Sequence, residues 1–164
     1  MTDNPVFAPG LFAGRHVLVT GGATGIGFGI ARELGGLGAR VTLASRDPAK
    51  LDDAVARLRT EGIAAARQVL NIRDAAAIEA LFATLAATGD LPDALINNAG
   101  GQFSAPALET SANGFRAILD LNLQGGFQMC RAYAAALVAQ GRRGRIVNIV
   151  FAHTGAMPDF AAAA

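Results

Sequence analysis

Apolar residues in this chain follow two alternating rhythms. Short aliphatic and β-branched runs at His16-Val17-Leu18-Val19-Thr20, Arg40-Val41-Thr42-Leu43-Ala44, Ala94-Leu95-Ile96-Asn97 and Arg145-Ile146-Val147-Asn148-Ile149-Val150 read as buried strands, with a weaker run over 64–70. Between them apolar positions recur three and four residues apart. This spacing predicts helices at about 25–37, from Pro48 to about Thr60 with Leu51, Val55 and Leu58 on one face, and over 75–87 with Ile78, Leu81, Phe82 and Leu85. One long helix is predicted over about 113–139, apolar on more than one face through Ile118, Leu119, Leu121, Phe127, Met129, Tyr133 and Leu137. Strands separated by amphipathic helices predict an α/β fold, a doubly wound parallel sheet with helices on both faces. Residues 1–12, with Pro5, Pro9 and Gly10, are expected to form an extended arm ahead of one domain over 13–164.

Composition narrows the partners. Of 164 residues, 52% are hydrophobic and 16% charged, with a net charge of +1, so nothing draws the chain to nucleic acid or to an acidic membrane surface. A small-molecule substrate is the expected partner. No apolar run reaches the roughly 18 residues of a membrane span, and the start lacks a basic stretch followed by an apolar one. The single cysteine, Cys130, excludes an internal disulfide and sits in an apolar helical run, which predicts a buried thiol in a reducing, cytoplasmic setting. No His, Cys and acidic cluster has the spacing of metal ligands. Arg57, Arg59, Glu61, Arg142 and Arg143 read as solvated surface.

The candidate chemistry lies at the strand ends. Thr20-Gly21-Gly22-Ala23-Thr24-Gly25-Ile26-Gly27 joins the first strand to the first helix. Glycines at 21, 25 and 27 permit a tight turn and a close approach by a ligand, and the helix that follows aims unpaired N–H groups at it, which suits a pyrophosphate. After the second strand comes Ser45-Arg46, where a dinucleotide site with an acidic residue would hold ribose hydroxyls and one with arginine accommodates a 2′-phosphate. NADP(H) is therefore the expected cofactor, with Arg46 as the clamp and Ser45 as a supporting donor. Asn71-Ile72, after the third strand, offers an amide to an adenine edge.

The fourth strand ends in Asn97-Asn98-Ala99-Gly100-Gly101-Gln102-Phe103, and Leu121-Asn122-Leu123 with Gly125 follows in the long helix. Taken in order with the glycine turn, these motifs resemble the short-chain dehydrogenase/reductase family over essentially the whole chain. The resemblance implies a Rossmann-type fold, a nicotinamide dinucleotide lined by Asn98, Ala99 and Gly100, and Asn122 as an active-site asparagine supporting a proton path. It also implies a homo-oligomer packed through the long helix. Ala8-Pro9-Gly10-Leu11, Ala44-Ser45-Arg46, Asn71-Ile72-Arg73 and Gly100-Gly101-Gln102-Phe103 with Pro106-Ala107 are similar to the trans-2-enoyl-CoA reductase branch, with its 2,4-dienoyl-CoA reductase and citronellol/citronellal dehydrogenase relatives.

The family's usual serine after strand 5 and its Tyr-x-x-x-Lys pair have no counterpart here. Val150-Phe151-Ala152-His153 follows Ile149, Tyr133 lies mid-helix without a partner lysine, and Lys50 is remote in sequence. The tyrosine position falls near Ala163 and the lysine position past Ala164, so the chain is expected to be truncated after strand 5. Reduction of an enoyl thioester sends hydride to Cβ and places charge on the thioester oxygen, so it needs an oxyanion donor and a proton at Cα rather than a phenol at the carbonyl. The expected activity is accordingly reduction of the 2,3 double bond of an enoyl-CoA. The alternatives are an alcohol or aldehyde dehydrogenase on fatty or terpenoid substrates, and a non-catalytic nucleotide-binding module. His153 is the candidate proton donor, and Gln102 and Phe103 are the candidate substrate contacts.

Overall fold

The computed structural model describes residues 6–103 and 105–150. Five strands, β1 (His16–Thr20), β2 (Arg40–Ser45), β3 (Ala65–Val69), β4 (Ala94–Asn97) and β5 (Arg145–Asn148), form one sheet in the order β3-β2-β1-β4-β5. All four pairings are parallel. The helices are α1 (Gly25–Gly36), α2 (Pro48–Thr60), α3 (Ala75–Ala87), α4 (Ala112–Leu119) and α5 (Gly126–Ala139).

Strand side chains alternate between the faces, so each strand feeds two cores. Val17 and Val19 of β1, with Val41 and Leu43 of β2, meet Ala31 of α1 and Leu51, Val55 and Leu58 of α2. Leu18, Ala44 and Leu95 turn the other way, toward Ile78 and Phe82 of α3 and Met129, Tyr133 and Leu137 of α5. Tyr133 tilts against Phe82 with ring centroids 5.7 Å apart, and its hydroxyl donates to the Pro92 carbonyl at 3.1 Å. β1 has neighbours on both sides and is buried along its whole length. The chain steps outward from β1 to β2 and β3, then returns to place β4 on the other flank. Such a reversal opens a crevice beyond the carboxyl ends of β1 and β4.

Two expectations change. The predicted helix over 113–139 is interrupted: α4 and α5 are separated by a wider π-helical turn, Asp120–Gly125. Gly125 brings that turn against the loop after β3, where a Cβ would lie 2.8 Å from the Ile72 carbonyl oxygen. Residues 8–14 are not extended; they form successive turns, and Phe12 N–H donates to Leu37 O at 2.9 Å, tying them to the end of α1. Arg59 is exposed as expected, and its guanidinium also donates to Ala65 O at 2.8 and 3.1 Å, fastening the end of α2 to β3.

The amino end of the sheet carries a buried histidine. His16 Nε2 lies 2.8 Å from Thr42 Oγ1, while its Nδ1 is buried without a hydrogen-bond partner, 3.7 Å from Asp90 Oδ1. Arg40 grips both oxygens of Asp90, and Asp93 accepts from the His16 N–H at 2.9 Å with Arg15 and Arg142 each 3.6 Å away. Burial, then Arg40, pushes the His16 pKa below its usual value, against the pull of Asp90 and Asp93. The unfolded chain thus binds this proton more readily than the fold does. Stability is complete above the unfolded histidine pKa of about 6.5 and falls as the pH drops through it toward the lower folded value. Urea midpoints measured from pH 7.5 down to 5.5 should decline for the native chain and decline less for His16→Gln.

Candidate active site

The crevice is built from four strand ends. A cleft of about 350 Å³ is lined by Gly21, Thr24, Ile26, Ala44, Ser45, Arg46, Leu70, Asn71, Ile72, Asn98, Ala99, Gly100 and Leu121. Ten of the twelve residues expected to bind the cofactor line it. The other two shape it: Gly25 stands on its outer side, bordering a neighbouring hollow, and Gly27 is buried under the turn.

Local chemistry explains the glycine turn. Gly21 has φ +64°, a left-handed conformation, and its N–H donates to Ala44 O at 2.7 Å; Gly25 has φ +54° and open space where a Cβ would project. Thr24 caps α1 without a side-chain hydrogen bond. The contrast with its neighbours is informative. Asp47 caps α2 through Ala49 N and Lys50 N, Asp74 caps α3 through Ala77 N, and Ser111 caps α4 through Gly114 N. At α1 the first-turn N–H groups face the cleft without such a cap, which is the donor set and dipole end that a pyrophosphate needs. A dinucleotide fits these residues.

Thr20 holds the two halves of the crevice together. Its buried hydroxyl accepts from Asn98 N and Ala99 N, both at 3.0 Å, and donates to Ile96 O at 3.4 Å. Asn98 returns the link, its Nδ2 donating to Thr20 O at 3.0 Å and Gly21 O at 3.3 Å. The Asn98 amide is therefore engaged in bracing the turn as well as lining the cleft. Thr20 carries no expected role from sequence, although its place at the end of an apolar strand and ahead of a glycine was a legible signal.

On the adenosine side, Ser45 Oγ accepts from Asp47 N at 3.3 Å, so the hydroxyl shapes the entry to α2 and keeps its proton to donate. Arg46 is exposed, and among the described residues no carboxylate pairs with its guanidinium. Asn71 Oδ1 accepts from Arg73 N at 3.2 Å, while Ile72 is buried behind it. Leu70, Ala44 and Leu121 add apolar wall, of which Leu70 lies outside the motifs.

At the far end Asn122 clamps the loop after β4. Its Oδ1 accepts from Gly101 N at 2.9 Å and its Nδ2 donates to Gly101 O at 2.8 Å. Both amide atoms thus hold backbone, which fixes the loop beside the crevice. Phe103 packs its ring edge into the notch left by Gly114, and Gln102 is exposed beside it. Cys130 is half-buried rather than enclosed, with its sulfur 3.1 Å from Asn97 Nδ2. His153 lies outside the described residues.

The comparisons agree with this geometry. The family model described as short chain dehydrogenase matches residues 15–163. A peroxisomal 2,4-dienoyl-CoA reductase of Arabidopsis thaliana is 40% identical over 144 residues, 87% of this chain and 47% of that protein. A probable 2,4-dienoyl-CoA reductase of Bacillus subtilis is 34% identical over 136 residues, 82% of this chain and 53% of its own length. The chain thus spans about half the length of these curated relatives. Among solved structures, a citronellol catabolism dehydrogenase of Pseudomonas aeruginosa superposes with a TM-score of 0.88 at 34% identity, covering 96% of this chain and 64% of that one. An actinorhodin polyketide ketoreductase determined with NADPH gives 0.76 at 33% identity, covering 83% and 52%. Sheet order, uncapped glycine turn and matched family model converge: the chain belongs to the short-chain dehydrogenase/reductase family of oxidoreductases.

Proposed function

We propose that the chain binds NADP(H) in the crevice and forms the cofactor half of a reductase acting on the 2,3 double bond of an enoyl-CoA. The observation that carries the first part is the convergence of Gly21, Thr24, Ile26, Ser45, Arg46, Asn71, Ile72, Asn98, Ala99 and Gly100 on one cleft beneath an uncapped helix. The glycine turn and first turn of α1, with Gly25 and Gly27, hold the pyrophosphate; Arg46 and Ser45 hold the 2′-phosphate; Asn71 and Ile72 meet the adenine. Asn98 to Gly100 line the nicotinamide half. The bound dinucleotide supplies the hydride. Asn122 fixes the Gly101 peptide, so that Gln102 and Phe103 present a donor and an apolar wall to the acyl group, and His153 is the proposed proton donor at Cα.

The enoyl thioester is favoured by the two dienoyl-CoA reductase relatives and by the absence of a serine from Val150-Phe151-Ala152-His153. A second reading, oxidation of a fatty or terpenoid alcohol, is favoured by the superposition on the citronellol catabolism dehydrogenase. Self-association is part of the proposal, supported by the exposed side chains of Leu119, Leu123 and Phe127, and is read by sedimentation. The lone cysteine supports a cytoplasmic setting; among the described residues no helix is long and apolar enough to cross a membrane.

Two measurements test the reading. NADPH titration should give saturable binding, and Arg46→Ala should weaken NADPH by about 10- to 100-fold, the worth of a charge-assisted phosphate contact, with NADH changed less than about twofold. Crotonyl-CoA with NADPH should then turn over, and citronellol with NADP⁺ should not. Binding without either turnover leaves a nucleotide-binding module. No binding refutes the site.

A further inference from the structure

The two outer flanks of the sheet are finished differently. On the β3 flank, carbonyls turned away from β2 are taken by side chains: Arg59 donates to Ala65 O at 2.8 and 3.1 Å, and Gln68 Nε2 donates to Val69 O at 3.1 Å. Arg67, paired with Asp52, adds charge to the same strand. Such side chains blunt an edge against the addition of another strand. The β5 flank is apolar instead. Arg145, Ile146, Val147 and Asn148 are all exposed, and the run continues through the exposed Ile149 and Val150.

The ladder tells which backbone groups face outward. Arg145 N donates to Asp93 O at 3.0 Å and Ile149 N donates to Asn97 O at 2.8 Å, both toward β4. In a parallel pair alternate residues bond the same neighbour, so Ile146, Asn148 and Val150 turn their N–H and C=O groups the other way. Among the described residues nothing meets them there. We propose that this edge is an interface for a second copy of the chain, the two β5 strands pairing antiparallel about a two-fold axis at Asn148.

Three features select that occupant. The first is self-complementarity. Ile146-Val147-Asn148-Ile149-Val150 has its one polar residue at the centre and apolar residues on both sides. Rotation about Asn148 therefore sets Ile146 opposite the partner's Val150, Val147 opposite the partner's Ile149, and the two asparagines opposite each other. Ile146, Asn148 and Val150 then fall in the pairs that exchange both backbone bonds. The second is charge. Arg142, Arg143 and Arg145 precede the run, and an antiparallel pair sends the two clusters to opposite ends. A parallel pair in register would set Arg145 against its own counterpart, which is unfavourable. The third is closure. The two-fold contact covers the apolar flank of each copy and leaves the blunted β3 flanks outside, so growth stops at two chains through this contact. The interface is separate from the exposed Leu119, Leu123 and Phe127 of the helical side, and it is independent of the dinucleotide reading.

Sedimentation of the full chain at micromolar concentrations tests it, with Val150→Glu, Ile146→Lys, the double variant and Leu123→Lys. The native chain should associate. Each β5 single variant should raise the dissociation constant by about tenfold or more, and the double variant should return to within about threefold of native, since lysine and glutamate then face each other between copies. Within one chain residues 146 and 150 are about 13 Å apart along an extended strand, so that recovery reads the proposed register. Val150 is 78% exposed, which keeps its substitution clear of the fold. Should Ile146→Lys fail to fold, amide exchange at Ile146 and Asn148 of the native chain decides, and it should slow as the chain associates. A monomeric native chain overturns the interface, as does native-like association of Val150→Glu. Loss of association in Leu123→Lys alone assigns it to the helical side and overturns the β5 pairing, while a double variant without recovery overturns the axis at Asn148. NADPH titration of the same samples reports on the crevice separately.

Discussion

Thr20→Val should lower the melting temperature by about 6–10 °C, although valine matches threonine in shape and the site is 1% exposed. The substitution removes one oxygen and strands three partners. Asn98 N and Ala99 N lose their acceptor, and Ile96 O loses a donor. A buried amide left unpaired costs about 1–3 kcal/mol. Both amides are only partly buried and water recovers part of the loss, which places the total near 3 kcal/mol. Thr20→Ser keeps the oxygen, gives up one methyl group and should cost about 1 kcal/mol. Thermal melts of the pair separate the accounts. Should valine and serine melt together, the hydroxyl is not what joins β1 to the loop after β4.

Gly27→Ala is the second large effect, and it acts on stability and ligand together. A Cβ at Gly27 would run into the Gly21 carbonyl oxygen and the Asn98 amide, and would stand 2.9 Å from the Gly21 carbonyl carbon. The obstacle is mostly backbone, so α1 has to back away from the turn. Overpacking of this kind costs about 1–3 kcal/mol, and the better helix propensity of alanine returns about 1 kcal/mol. The net loss is up to about 2 kcal/mol, which lowers the melting temperature by as much as about 4–8 °C. Because the donors in the first turn of α1 move with the helix, NADPH affinity should fall by at least about tenfold. Gly29→Ala supplies the control: it lies in the same helix, nothing is within 4 Å of its Cβ position, and it should be neutral or stabilising with binding intact. Equal behaviour of the two variants would show that crowding at Gly27 has no part in shaping the site.

Strand and helix positions were legible because period decides them. The runs at 16–20, 94–97 and 75–87 have the bounds that their apolar spacing implies, and the remaining strands shift by one or two residues at their ends. The break at Asp120–Gly125 was not legible, since Leu121 and Leu123 keep a helical pattern and only the approach of Gly125 to Ile72 reveals why the helix widens there. Within the site, glycines and the Asn98 segment were readable as chemistry. The engagement of Asn122 with Gly101 was not, because it depends on the π-helical turn that aims it.

The long reach of the Thr20 contacts bears on how the chain assembles. The hydroxyl meets amides 78 and 79 residues downstream, whereas β1 finds β2 across a single helix. Local pieces such as β1-α1-β2 can condense early, but the crevice closes only when a distant strand has been threaded alongside β1, at a high cost in chain entropy. The crevice end of the sheet is therefore expected among the last parts to order during folding.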